Sequence, residues 1–296
     1  MTSRATADIT PVLVTYNSAG ILGWSLPSLS RFDDVVIVDN QSHDATADIA
    51  RSLLPQARVI RAGGNLGFGR ANNLGIAQVR TRYALLINPD AQLQDGAIEA
   101  LHAAARRYPE AAILAPVLYD EPGVVGDFFR GPFHVRQHGP RVTPEGDLCA
   151  EFVTGAAMLL NLDAMRGIGF FDPWFFLYFE DDDLCMRVRR AGRPILVVHD
   201  AAMLHRTRQS STPSARTTLR RVYCMTLSKF YITRKYFGTA ACIGLVLRVG
   251  LGSLLTLPLQ LLAPRKERLL RHVARIGAAL GAWRHLSRAH CFEPAD

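Results

Sequence analysis

The sequence predicts an α/β fold, an open sheet flanked by helices, that carries a helical C-terminal extension. Three observations predict it. Short apolar runs alternate with segments of helical period over the first hundred or so residues, polar residues follow each run, and the last third of the chain turns basic and apolar. With 296 residues, 49% hydrophobic and 20% charged, the chain is a folded protein and not a disordered, collagenous or low-complexity one. At this length about three quarters of the unfolded surface is lost on folding, which suits one large α/β domain with an appendage, or two domains.

Ile9–Tyr16, Val35–Asp39, Arg58–Arg61 and Tyr83–Ile87 read as strands with helices between them, a βαβ rhythm. Between the second and third, Ala45, Ile49 and Leu53 recur at i+4 behind Ser42 or Asp44 as N-cap candidates, the pattern of an amphipathic helix packed on a sheet. In open parallel sheets ligands bind beyond the carboxyl ends of the strands. Thr15-Tyr16-Asn17, Asp39-Asn40 and Asn88-Pro89-Asp90 should therefore meet in one crevice. Residues 120–150 are rich in Gly, Pro and charge and read as a long loop over that crevice. Phe152–Leu162 and Leu177–Leu204 should return to the sheet, with Asp181–Ala191 a short helix stopped by Gly192.

The five cysteines, Cys149, Cys185, Cys224, Cys242 and Cys291, are odd in number and form no C-x-x-C pair. They exclude a disulfide framework and a conventional cysteine zinc site, and a reducing compartment is expected. The first residues lack the long apolar core of a secretory signal, so a cytoplasmic location is expected.

The net charge of +8 is unevenly spread: residues 1–186 carry 14 basic and 22 acidic side chains, residues 187–296 carry 20 and 4. Such a tail suits nucleic acid or anionic lipid. Its apolar content favours lipid and argues against nucleic acid. A basic-aromatic helix over Thr217–Phe237 is followed by Thr239–Ala263, apolar apart from Arg248. Arg248 and Pro258 interrupt that stretch, so a re-entrant or interfacial segment and a full span both stay open. Beyond Pro264, Leu269, Leu270, Val273, Ile276, Leu280 and Trp283 follow helical spacing, with Arg268, Arg271 and Arg275 on the other side. This is the pattern of a membrane-surface helix, or of an amphipathic helix docked on the domain or on a second subunit. The expected division is residues 1–210 for the α/β domain and 211–296 for the extension.

Asp90 ends a strand in Asn88-Pro89-Asp90-Ala91, where a carboxylate binds a hard divalent cation or serves as a turn residue. Glu180-Asp181-Asp182-Asp183 places four acids after the aromatic run Trp174–Phe179. Repulsion and partial burial raise the pKa of such groups towards that of a general base, and a helix N-terminus pulls the other way. Asn65-Leu66-Gly67-Phe68-Gly69 approaches a dinucleotide fingerprint but fails at Asn72, which disfavours a dehydrogenase. His205, at the end of a strand, suits a metal or a phosphate.

In this order, Val14-Thr15-Tyr16-Asn17, Val38-Asp39-Asn40-Gln41-Ser42, Asn65-Leu66-Gly67-Phe68 with Asn72-Asn73, Asn88-Pro89-Asp90, Gly155-Ala156-Ala157-Met158-Leu159, Phe171-Asp172, Glu180-Asp181-x-Asp183-Leu184 and His205 resemble family 2 glycosyltransferases of the rhamnosyltransferase-like branch, over about residues 9–237. The resemblance implies the GT-A nucleotide-diphospho-sugar transferase fold, a Rossmann-like mixed sheet flanked by helices. It implies a Mg2+ or Mn2+ ion and inversion at the anomeric carbon. Thr15, Tyr16 and Asn17 would lie around the nucleotide, Asp39 would bond the pyrimidine or ribose, and Asn65 and Gly67 would line the same pocket. Asn88 and Glu180 would also face substrate. Asp90 and His205 would hold the metal, and Asp181 would be the catalytic base. Asn88 stands where many relatives have Asp, and Asp182 is an extra acid beside the base.

The resulting expectation is transfer of a sugar, rhamnose from dTDP-rhamnose first among the candidates, to a hydroxyl of a lipid-linked or cell-envelope glycan at the inner face of the cell membrane. Transfer of galactofuranose or an N-acetylhexosamine is the alternative among enzymes. A non-catalytic membrane-bound nucleotide-sugar-binding scaffold is the alternative outside them.

Overall fold

The structure, a computed structural model, describes residues 4–126, 129–130, 143–206, 214–262 and 266–287. Parts of the expected loop (127–128 and 131–142), Arg208, Ala263, Pro264 and Cys291 lie outside the described residues. The chain forms two compact units: Met1–Leu66, Arg70–Phe171 and Asp181–Ser211 in the first, Gly67–Gly69, Asp172–Glu180 and Thr212–Asp296 in the second.

In chain order the elements begin α1 (Arg4–Ala7), β1 (Ile9–Thr15), α2 (Ala19–Ser25), a 3-10 turn (Leu26–Leu29), β2 (Val35–Asp39), α3 (Thr46–Leu53), β3 (Ala57–Arg61), α4 (Phe68–Ile76) and β4 (Tyr83–Ile87). They continue β5 (Ala91–Leu93), α5 (Ala97–Arg107), β6 (Ile113–Glu121), β7 (Val124–Val125), β8 (Phe129–Arg130), β9 (Leu148–Cys149), β10 (Phe152–Val153), β11 (Ala157–Asn161), α6 (Glu180–Arg190) and β12 (Ile195–His205). Two helices, α7 (Ala215–Leu262) and α8 (Lys266–Leu286), complete the series.

The first unit is built on one mixed sheet in the order β3-β2-β1-β4-β11-β6-β12-β5. β3, β2, β1 and β4 run parallel, β11 lies antiparallel between β4 and β6, and β12 is parallel to β6. β2, β4 and β11 are buried along their whole length, which is why Val35–Asp39 and Tyr83–Ile87 read as unbroken apolar runs. Each fully buried Val, Ile or Leu in them contributes roughly 1.5–3 kcal/mol. In the register Thr15↔Asp39 and Ala157↔Ile87, the carboxyl ends of β1, β2 and β4 and the start of β11 share one edge of the sheet.

One helix differs from expectation in the face it buries. α3 buries Thr46, Ala47 and Ala50, while Ala45 is exposed and Leu53 is 38% exposed. The helix packs by its small side chains, and Thr46 fixes its rotation: its hydroxyl accepts the Ser18 N–H at 2.7 Å. The N-cap is Ala45, without a side-chain cap bond, and not Ser42 or Asp44 as expected; Asp44, one position earlier, accepts the Thr46 N–H at 3.1 Å. α6 ends as expected, with Gly192 in the left-handed region (φ 70°) and Arg193 N bonding back to Val188 O at 3.1 Å.

In the second unit, α7 consists of two helical arms broken at Gly238, whose φ of 87° and ψ of 174° are open only to glycine. Pro258 sits inside the second arm. α8 packs on α7 through Ala274, Ala278 and Ala282, which are buried, while Val273, Leu280 and Trp283 stand 48%, 83% and 73% exposed. Gly277 and Gly281 lie against the Tyr223 ring, and Gly250 lies against Ala279.

Candidate active site

The site grows from three loop systems at the carboxyl edge of the sheet. After β1, Asn17 takes a left-handed conformation (φ 50°) that Asn tolerates well. Its Oδ1 accepts the His43 N–H at 2.8 Å and its own N–H meets Ser42 Oγ at 2.9 Å. After β2, Asp39 is 4% exposed and its Oδ1 accepts the Ser42 N–H at 3.1 Å. Thr15 is buried, and its hydroxyl reaches Val38 O at 3.4 Å. Tyr16 is half-buried.

Asn40 and Gln41 draw the third loop onto the first two. Asn40 Nδ2 donates to Asn65 Oδ1 at 3.1 Å, Asn40 Oδ1 accepts Leu66 N–H at 2.7 Å, and Gln41 Oε1 accepts Asn65 N–H at 2.9 Å. Asn40 is expected at this crevice from its place beside Asp39; Gln41 stands in the same motif, but no role is expected of its side chain. In the second unit, Gly67 (φ 79°) approaches Phe176 so closely that a Cβ would lie 2.2 Å from its carbonyl oxygen. Only glycine fits there.

Beyond β4, Asn88-Pro89-Asp90-Ala91 is a tight turn closed by Ala91 N–H to Asn88 O at 3.1 Å, with Pro at its second position. β5 then pairs with β12 so that Ala91 faces His205. Asp90, 5% exposed, places Oδ1 3.2 Å from His205 Nε2, and its carbonyl accepts the Arg206 N–H at 2.9 Å. Arg206 lays its guanidinium over the Trp24 ring at 4.3 Å.

The four acids at the start of α6 separate into distinct environments. Asp183 is fully buried and pairs with Arg187 at 2.8 Å, and Arg187 also donates to the carbonyls of Ile168, Gly169 and Phe170. Glu180 and Asp182 are 5% and 4% exposed. Asp181 is half-buried, the most open of the four, and its Oδ2 accepts the Gly155 N–H at 3.2 Å. The next residue, Ala156, accepts the Asn88 N–H at 3.0 Å, two positions before Asp90. Asp181, Gly155-Ala156, Asn88, Asp90 and His205 thus form one connected series across β11, β4 and β12.

A carboxylate and an imidazole side by side, mostly withdrawn from water, suit a divalent cation. Among the described residues no group of three or more His, Cys, Asp or Glu side chains is arranged to hold a metal. A nucleotide-bound Mg2+ usually takes one or two protein carboxylates and leaves its other positions to phosphate oxygens and water, and Mn2+ shares that preference for oxygen. The Asp90 carboxylate fits it, and His205 would add a nitrogen donor beside it.

The model of the family described as "Glycosyl transferase family 2" matches residues 11–156, and that described as "Glycosyl transferase family group 2" matches residues 85–276. The chain belongs to glycosyltransferase family 2. It is similar to an N-acetylglucosaminyl-diphospho-decaprenol L-rhamnosyltransferase of Mycobacterium tuberculosis, with 31% identity over 69% of this chain and 78% of that protein. The rhamnosyltransferase WbbL of Escherichia coli is 26% identical over 44% of this chain and 57% of its own length. Among solved structures, the mannosyltransferase PcManGT from Pyrobaculum calidifontis, in complex with GDP-Man and Mn2+, matches with a TM-score of 0.54 at 13% identity, covering 93% of this chain and 87% of that one. This glycosyltransferase therefore has the GT-A fold and is an enzyme of the rhamnosyltransferase-like branch.

Proposed function

We propose that this glycosyltransferase moves rhamnose from dTDP-rhamnose to a hydroxyl of a lipid-linked glycan, with inversion, at a membrane surface. The observation that carries the proposal is the connected series from Asp181 through Gly155-Ala156 and Asn88 to Asp90 and His205: the most open acid of the cluster and a cation-competent pair sit on one sheet edge. The names of the relatives, two rhamnosyltransferases, one of them acting on N-acetylglucosaminyl-diphospho-decaprenol, support the choice of sugar and acceptor.

In the mechanism, Asp181 takes the proton of the acceptor hydroxyl. The Gly155 N–H holds its Oδ2 and the Asp182 N–H, at 2.9 Å, holds its Oδ1, so the carboxylate is oriented before substrate arrives. The acceptor oxygen then bonds to the anomeric carbon as the bond to the nucleoside diphosphate breaks on the opposite face. Asp39, Asn65 and the Asn17 loop bind and orient the nucleotide. A Mg2+ or Mn2+ ion held by Asp90 and His205 would offset the negative charge of the leaving diphosphate. A positioned general base contributes about a hundred- to ten-thousandfold in rate.

The membrane reading rests on the inside-out packing of the second unit. In a water-soluble helix pair the large apolar side chains turn inward. Here alanines and glycines line the contact, while Ile243, Leu247, Leu251, Leu255, Leu280 and Trp283 face outward. Small residues at the contact and large apolar ones outside is the arrangement of helices packed in lipid. α7 is long and apolar enough to cross a membrane, and only 17% of its most apolar stretch is buried. Residues 214–287 carry 13 basic side chains and one acidic, which suits an anionic leaflet.

The deciding experiment measures nucleoside diphosphate release by the full chain with Mg2+ or Mn2+, a panel of nucleotide sugars and a polyprenyl-diphospho-N-acetylglucosamine acceptor. Release with dTDP-rhamnose well above the rest is expected. Preferential release from a galactofuranose or N-acetylhexosamine donor would reassign the sugar, and release from none would favour the scaffold.

A further inference from the structure

The Phe171-Asp172 motif and the aromatic run that follows take no part in the chemistry above, yet Asp172 is held by three hydrogen bonds. Asp172 Oδ1 accepts the Trp174 N–H at 2.9 Å. Its Oδ2 accepts the Tyr231 hydroxyl at 3.1 Å and the Lys235 ammonium at 2.6 Å. The Tyr231 ring stacks on the Trp174 indole, with centroids 3.8 Å apart and planes 7° from parallel, and meets Phe175 edge-on. Ser228 donates to Leu177 O at 2.9 Å. Ser228, Tyr231 and Lys235 recur at i, i+3 and i+7 on the first arm of α7, so a single helix face grips residues 172–177.

The gripped segment has a second attachment and a strained end. Phe176 O accepts the Phe68 N–H at 3.0 Å, directly after Gly67. Arg220, also on the first arm of α7, lies over the Phe176 ring at 5.1 Å. Tyr178 and Phe179 then follow with φ of 69° and 66°, two consecutive side chains in the left-handed region, and the chain passes straight into α6 at Glu180 and Asp181. Such a conformation persists only where surrounding contacts over-determine it, and it concentrates at functional sites.

We infer that Asp172, Tyr231 and Lys235 are positioning residues for glycosyl transfer. They clamp residues 172–179 in the one conformation that both receives the Gly67–Phe68 segment and starts α6 with Asp181 in register. The inference rests on the reading of Asp181 as the base.

The test uses the full chain with Lys235→Met and Tyr231→Phe combined, and Lys235→Arg as the conservative control. Hydrogen exchange is followed in peptides spanning 64–72 and 172–181, and kcat is measured well below the unfolding temperature, where a purely structural role leaves it unmoved. Exchange at the Phe68 and Trp174 amides should quicken at least about tenfold as the segment opens locally. The kcat of the double variant should fall about ten- to a hundredfold, the scale of a misplaced catalytic group, with acceptor KM within about threefold. Lys235→Arg should retain most of the wild-type kcat. Unchanged exchange would overturn the clamp, and faster exchange with unchanged kcat would overturn its positioning role, as would a Lys235→Arg protein no better than the Met variant. A wild-type protein inactive with every donor would favour the scaffold over the enzyme, and the exchange result would still decide the clamp.

Discussion

Asp90 and His205, 115 positions apart in the chain, stand 3.2 Å from one another because the antiparallel pairing of β5 with β12 sets His205 opposite Ala91. The turn Asn88-Pro89-Asp90-Ala91 aims the carboxylate, and the end of an eleven-residue strand brings the imidazole. By local sequence each residue is only a candidate ligand, with a turn role open to Asp90 and a phosphate contact open to His205. Their pairing is what makes a cation site chemically sensible.

Asp90→Asn and His205→Ala should each weaken divalent-cation binding by at least about ten- to a hundredfold, the range usual for changes around a metal. Titration calorimetry with Mn2+ in the presence of nucleoside diphosphate measures this directly. Unaltered Mn2+ affinity in both variants would remove the pair from the metal site.

Asp181 and Asp183 should respond in opposite ways to substitution. Asp181→Asn should fold normally, bind nucleotide and lose turnover by about a hundred- to ten-thousandfold. Asp183→Ala removes the carboxylate partner of Arg187, which keeps its carbonyl acceptors, and leaves a buried cavity; the loss should be at or below about 3–5 kcal/mol, the cost of breaking a fully buried pair. Thermal unfolding and turnover measured on both proteins distinguish a chemical from a structural acid.

Gly67→Ala should destabilise the protein by about 1–3 kcal/mol, because the new Cβ would meet the Phe176 carbonyl and the residue would be held at φ 79°. Denaturant unfolding gives the value. A neutral result would mean that the Phe176 segment yields easily, contrary to the clamp.

Burial acts to raise the pKa of Asp172, but the bonds from Lys235, the Trp174 amide and Tyr231 outweigh it and hold the carboxyl below its ordinary value of 3.8. A depressed folded-state pKa adds stability that is complete above the unfolded value and lost as the pH falls through the folded one. The stability difference between wild type and Lys235→Met should therefore be constant from pH 7 to about pH 5 and shrink below the ordinary carboxylate pKa. Melting temperatures of the two proteins across that range test it.

Leu280→Asp with Trp283→Asp should abolish binding to anionic vesicles at physiological salt while leaving the fold intact, since both side chains are exposed. Deletion of residues 239–296 should do the same. Vesicle flotation reads the outcome. Unchanged flotation, with a wild-type dimer that the double substitution converts to monomer in sedimentation, would instead assign the apolar face to a second copy of the chain.

The sheet was legible in the sequence because strand burial is written as a local pattern. Val35–Asp39 and Tyr83–Ile87 are apolar throughout because both faces of those strands are covered. The meeting of the loops after β1, β2 and β3 was partly legible for a related reason, since the carboxyl ends of parallel strands in an open sheet share one edge. The buried face of α3 was not legible: Ile49 and Leu53 carry the helical period, yet Thr46, Ala47 and Ala50 make the contact, because the Thr46 hydroxyl on the Ser18 amide sets the rotation. On α8 the sequence left a membrane-surface and a docked helix open, and the contact is made by Ala274, Ala278 and Ala282 while Leu280 and Trp283 stay outside.

By itself the sequence determined the α/β architecture, the order of the motifs and the basic apolar tail, since period, apolarity and charge are properties of neighbouring residues. Only the tertiary structure decided which of four adjacent acids stays open, that Asp90 meets His205, and that Asp172 is gripped by Tyr231 and Lys235. Those outcomes depend on strand register, helix rotation and the burial of each carboxylate, quantities set by contacts between segments far apart in the chain and by no short stretch of it.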